Sequence, residues 1–142
     1  MAIQTEYNAT MAPAVAGAQA TMVPATIISR NVEDADGIGF GVGVSQGAAD
    51  KGCVAGGTEF VGITVLDRSA MGEGDTFREG DSARIMTKGD IWVMASGAVN
   101  AGDGVAMNAD GEFSAAGAED AIPGARWDTS TTDDGLAVIR LG

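Results

Sequence analysis

Three features of the sequence predict an all-β fold. The apolar runs are short and rich in β-branched residues, as in 26–32 and 60–66. There are 22 glycines and only 3 prolines, with no Gly-x-y period, a composition that serves tight turns at close intervals and not a collagen helix. No long segment keeps apolar residues at three- and four-residue spacing, so no convincing helix is expected. About nine short strands result, and their spacing suits an antiparallel sandwich or barrel. At 142 residues the chain makes one domain and can bury roughly two-thirds of its unfolded surface. Aromatic residues are only 5% of the chain, so the core must be built mainly from Ala, Val, Ile, Leu and Met.

The elements follow in order. Residues 1–25 show neither helical nor strand periodicity, and Pro13 and Pro24 break any helix between them. This segment reads as an extended N-terminal arm lying on its own surface or a partner's, or else as an irregular first strand; the single β-domain is then 26–142. Residues 26–32 form a strand that ends at the acidic turn Glu33-Asp34-Ala35-Asp36. In 37–44, period two puts Ile38, Phe40, Val42 and Val44 on one face and glycine on the other. One strand with a bare face is expected there, suited to a second layer packed very closely. Residues 60–66 are apolar on both faces and read as a central strand. Residues 67–81 are polar, charged and glycine-rich, and read as a long exposed loop of the kind that often carries function. Residues 83–87 and 91–95 flank Lys88-Gly89-Asp90 as a hairpin. A second hairpin joins 104–107 to 112–114 through Asn108-Ala109-Asp110-Gly111. Residues 125–129 and 136–141 close the fold around a turn at 131–135.

The charge balance narrows the function. Twenty acidic residues against eight basic ones give a net charge of −12, which disfavours phosphate backbones and anionic membranes as partners. The same charge favours a basic protein partner. Residues 7–29 carry no charge, yet they are too polar and too rich in alanine for a membrane span, and no basic start marks a signal peptide. The chain contains no histidine, which removes Ser-His-Asp and Cys-His arrangements and every His-containing metal site. The single cysteine, Cys53, reads as a small buried hydrophobe.

The remaining motifs resolve into local structure. The glycine run at 37–43 is not a dinucleotide loop, because Val42 stands where GxGxxG needs glycine and no helix follows. The acidic turns at 34–37 and 108–111 lack the first and twelfth ligands of an EF-hand loop, and turn chemistry accounts for both. Carboxylate pairs are unavoidable among twenty acids, but few aromatic platforms for a sugar accompany them. No catalytic residue, metal or cofactor is implied. Trp92 reads as core. Trp127, beside Arg126 and Asp128, is either a half-buried strand residue or an interface anchor, since Trp and Arg are enriched at binding hot spots.

Taken in order, several stretches resemble the structural cement, or head decoration, proteins of tailed phages. They begin with Met1-Ala2-Ile3-Gln4-Thr5 and Tyr7, then Ser29-Arg30-Asn31-Val32-Glu33 and Gly37-Ile38-Gly39-Phe40-Gly41-Val42. Phe60-Val61-Gly62-Ile63-Thr64, Met86-Thr87-Lys88-Gly89 and Ile91-Trp92-Val93 continue the pattern. Ile122-Pro123-Gly124-Ala125-Arg126, Leu136-Ala137 and Arg140-Leu141-Gly142 complete it, while residues 69–81 match least. The resemblance implies a β-sandwich of jelly-roll type on the outer surface of a virion capsid, made in a bacterial cytoplasm. It implies a non-enzymatic role: binding the major capsid protein of an expanded head, bridging capsomers and resisting DNA pressure. It also implies a homo-oligomer, a dimer being favoured over a trimer. Interface candidates are Ile3, Gln4 and Tyr7 in the arm, Arg68 and Arg78 in the 67–81 loop, and Arg126 with Trp127. The alternative is a surface adhesion module or a minor spike or fibre component.

Overall fold

The computed structural model describes residue 9 and residues 13–69, 76–117 and 120–142. The strands are β1 (Thr26–Val32), β2 (Ile38–Gly39), β3 (Gly43–Gln46), β4 (Gly52–Ala55), β5 (Phe60–Thr64), β6 (Thr76–Phe77), β7 (Ser82–Ala95), β8 (Val105–Met107), β9 (Phe113–Ala115), β10 (Arg126–Trp127) and β11 (Gly135–Leu141). The described residues contain no helix.

β7 is the spine. Its first half pairs antiparallel with β1 on one edge and β5 on the other. β5 pairs with β3, β3 with β4, and β4 returns to β1 in parallel register, so five strands close into a ring. The second half of β7 leaves this ring and pairs with β11, which pairs in turn with the short β10. β9 joins the end of β7 in parallel at Ala95↔Phe113 and forms a hairpin with β8. The pairing therefore differs from two stacked antiparallel sheets: one sheet closes on itself, and two of its pairings are parallel.

Two apolar cores follow from this path. One receives Val32, Val44, Cys53 and Ile85 with partly buried Val61, so every ring strand contributes, and it is plugged by Ile38 and Phe77 of the β2–β6 ribbon. The other gathers Ile63 and Met86 from the ring with Ile91, Val93, Trp127 and Ile139 from the outer layer. Successive residues of a strand point to opposite faces, which is how β7 feeds both cores. Cys53 is a free, fully buried thiol, and burial, with Asp34 and Glu33 nearby, pushes its pKa up to about 11.

Three local expectations change. Residues 37–44 are two strands and not one, because the chain turns at Gly41 with φ +72°. The glycines of the bare face meet different close partners: Gly37 the backbone of Phe77, Gly43 the side chains of Met107 and Phe113, and Gly41 the chain's own arm. A Cβ on Gly41 would stand 2.9 Å from the Gly17 nitrogen, and one on Gly17 would stand 2.8 Å from Phe40 Cβ. Residues 83–95 are not a hairpin but a single strand that bends at Gly89, φ +127°, since each half finds different neighbours. The 67–81 segment is not all loop: Thr76–Phe77 pairs with β2, and Phe77 is buried edge-on to Phe40 with ring centroids 5.2 Å apart. The 108–111 hairpin is as expected, with Asn108 Oδ1 accepting from the nitrogens of Asp110 and Glu112.

Candidate binding surface

The uncharged segment that precedes β1 is stitched to the spine. Gly17 N donates to Trp92 O at 2.8 Å, Trp92 N to Ala18 O at 2.9 Å, and Ala20 N to Asp90 O at 3.0 Å. Leu66 N donates to Gly17 O on the opposite side, at 2.9 Å. Residues 17–20 thus extend the sheet beyond the edge of β7. Backbone pairing of this kind needs no particular side chains, which is why the sequence of the segment shows no strand pattern.

Beside this seam lies a buried charge network. Asp90 is 1% exposed and faces Arg140 across the β7–β11 ladder. Arg140 Nε and Nη2 donate to its two carboxylate oxygens at 2.7 and 2.8 Å, and Thr21 Oγ1 donates to Oδ2 at 2.7 Å. Asp128 stands 3.9 Å from Arg140 Nη2. The Arg140 hydrogen bonds, helped by that from Thr21, hold the Asp90 carboxyl below the usual carboxylate range, and Asp90 raises Arg140 in return. A buried carboxylate needs such pairing to remain charged. Here the pairing also ties arm, β7 and β11 together.

Beyond Asp90 and Arg140, the same face of these strands is apolar. Met94 is 52% exposed and stands opposite Leu136; Trp92 is half-buried and stands opposite Val138. Val15 and Met22 of the arm segment are 54% and 99% exposed. At one end of this face Arg126, exposed on β10, lies directly across from Arg140. Both border a cavity of about 410 Å³ completed by Gly124, Ala125 and Gly142.

The sequence-derived interface residues fall in separate places. Ile3, Gln4 and Tyr7 lie outside the described residues. Arg68 is exposed in the turn after β5; Arg78 is exposed just after β6, with Nε 3.7 Å from Asp81. Arg126 is exposed on β10. Trp127 is not an exposed anchor: it is fully buried, and its indole N–H donates to Ser114 O at 3.1 Å. Adjacent strand residues face opposite ways, so an outward Arg126 forces an inward Trp127. Trp92, expected in the core, is the partly exposed tryptophan. Asp90 was hidden in an apparent turn, and only the odd Arg140 among the apolar residues of the last strand hinted at a partner.

Among the described residues, no helix is long and apolar enough to cross a membrane. No curated protein is a significant sequence match. The fold is similar to a chain in a structure of the capsid of Myoviridae phage XM1, with TM-score 0.76, 16% identity, and coverage of 100% of this chain and 98% of that one. It is also similar to the head fiber gp8.5 N base of bacteriophage phi29, with TM-score 0.50, 9% identity, and coverage of 84% of this chain and 95% of that one. Residues 3–142 match the family of structural cement proteins (E217 gp24/Pam3 gp6), and the chain belongs to that family, whose members are structural, capsid-stabilising proteins of phage virions.

Proposed function

We propose that this protein binds the outer surface of an expanded phage head and bridges neighbouring capsomers, holding the lattice against the pressure of packaged DNA. The family match across residues 3–142 carries this reading. Three physical features support it. The chain has no histidine and needs no reactive group for the task. Two cores share one continuous strand, so a load applied to the outer layer passes directly into the closed ring. Met94 on β7, with Val15, Met22 and Val23 of the segment before β1, leaves large apolar side chains exposed, as an interface would.

Binding that selects the expanded lattice stabilises it by mass action. Each filled site contributes RT ln(1 + [L]/Kd), about 2.7 kcal/mol at a hundredfold excess over Kd. A protein that straddles two capsomers gains again, because its second contact is effectively intramolecular. A homo-oligomer, a dimer in the favoured form, suits a position between two capsomers. In the same reading Ile3, Gln4 and Tyr7 drape over the shell, and Arg68, Arg78 and Arg126 reach it as charged contacts.

The test is reconstitution. Expanded heads lacking the protein, mixed with purified chain, should bind it to saturation in numbers comparable with the shell protein and survive higher temperature. Unexpanded heads should bind far less. Equal binding to both forms would overturn the lattice-selective clamp. A few copies per head would favour a fibre base instead, the alternative suggested by the phi29 similarity.

A further inference from the structure

We propose that the cavity between Arg126 and Arg140 is a carboxylate pocket: it takes an aspartate or glutamate side chain of the shell protein, with the apolar face of β7 and β11 docking the residues around it. This rests on the capsid-binding function proposed above. Three observations carry it.

The first is a local reversal of charge. The chain has a net charge of −12 and only eight basic residues. Three of them, Lys88, Arg126 and Arg140, converge here. Arg126 and Arg140 line the cavity, and the stem of Lys88 lies against Gly142 at its rim, where an added Cβ would meet Lys88 Cγ at 2.8 Å. Among the described residues, Asp90 and Asp128 make the direct ion pairs here, both with Arg140, and Asp90 also acts on Arg126 through space.

The second is the state of Arg126. Like charges placed directly across a ladder destabilise it unless something neutralises them. Arg140 is answered by the bidentate Asp90. Among the described residues, no carboxylate lies within ion-pair distance of Arg126. Its guanidinium therefore borders a cavity of about 410 Å³ with its donors unused, and small residues on the other walls leave room for a planar carboxylate to meet it through two hydrogen bonds.

The third is continuity. From Arg140 the same face of β11 runs through Val138, which is buried, to half-buried Leu136, facing half-buried Trp92 and exposed Met94 on β7. A charged end and an apolar middle on one sheet face match the composition of binding hot spots, in which Trp, Met and Arg are over-represented.

The experiment measures affinity of the full chain for heads lacking it, at several salt concentrations. Arg126→Glu should weaken binding about tenfold or more and flatten its salt dependence, with Arg126→Gln intermediate. Both variants should melt at or slightly above the wild type, because Arg126 is exposed, makes no ion pair among the described residues, and stands directly across from the like-charged Arg140. Lys51→Glu, an equal charge change in the turn before β4, should bind as wild type. If wild-type chain binds and Arg126→Glu binds equally well, the pocket proposal falls while the capsid function stands. If Arg126→Glu loses self-association but keeps its affinity for heads, the occupant is a second copy and the proposal is overturned. If wild-type chain does not bind heads at all, both readings fall together.

Discussion

The two tryptophans separate stability from binding. Trp127 is fully enclosed, with its one polar atom satisfied by Ser114 O. Trp127→Ala should cost about 3–5 kcal/mol in chemical denaturation, since it opens a cavity and leaves that carbonyl without its donor. Trp92→Ala removes a side chain that water already reaches; its cost should be less than half as large, and its effect should appear in affinity for heads. Asp90 belongs with Trp127. Asp90→Asn should lower stability by about 2–3 kcal/mol, the scale of hydrogen bonds to a charged group inside a protein. The pH dependence follows in sign. Because folding holds the Asp90 carboxyl below its unfolded value, the ionised network stabilises the fold fully above about pH 4. That contribution is lost as pH falls through the lower folded-state value. Melting curves from about pH 6 to about pH 2 should therefore drop less steeply at the acid end for Asp90→Asn than for wild type; parallel curves would show that the network contributes nothing to acid sensitivity.

Among the elements, β7 best explains what sequence could and could not reveal. Lys88-Gly89-Asp90 between two apolar runs has the composition of a hairpin turn, but a turn and a bend both call for glycine. What decides is whether the flanking runs pair with each other or with other strands. They pair with β1 and β5 before Gly89 and with β11 after it, and those partners are distant in sequence. Strand β1, by contrast, was legible to its ends, and the 108–111 hairpin was legible because its turn residues hydrogen-bond locally. Strand β4 went unread: Gly52–Ala55 is short, and its pairing with β1 is parallel and remote. The proposed binding surface follows the same rule. Arg126 was visible from its neighbours, whereas the Asp90–Arg140 and Thr21–Asp90 contacts span 50 and 69 residues and depend on register. Gly89 offers a direct test of the bend. A valine there would have to adopt φ near +127°, and its Cβ would fall 2.9 Å from Ala25 Cβ. Gly89→Val should lose about 2 kcal/mol or more of stability. Wild-type stability would mean that β7 can reach both layers without a glycine.

At the scale of the whole molecule, the question is where the fold ends and the proposed shell-binding arm begins. Residues 17–20 are hydrogen-bonded to β7 and to Leu66, and Thr21 closes on Asp90. Deleting residues 2–24 would therefore remove part of the sheet as well as any shell contact, and weak binding by such a chain would have two causes. Deleting residues 2–12 leaves every one of those bonds in place. This shorter deletion should melt close to wild type, and under the arm hypothesis it should bind heads less tightly. The deficit per site need not be large to matter. A tenfold loss of affinity is about 1.4 kcal/mol per site. Multiplied over a lattice with on the order of hundreds of sites, the loss should lower the temperature at which heads rupture even when nearly every site is still filled, because the stabilisation from mass action scales with the logarithm of excess ligand over Kd. Occupancy and rupture temperature should then separate: near-complete occupancy at high protein concentration, with rupture still below that of wild-type heads. If the two recover together at moderate concentration, the arm adds affinity only in proportion to the ligand that replaces it. If binding is undiminished from the start, the segment before residue 13 plays no part in holding the shell.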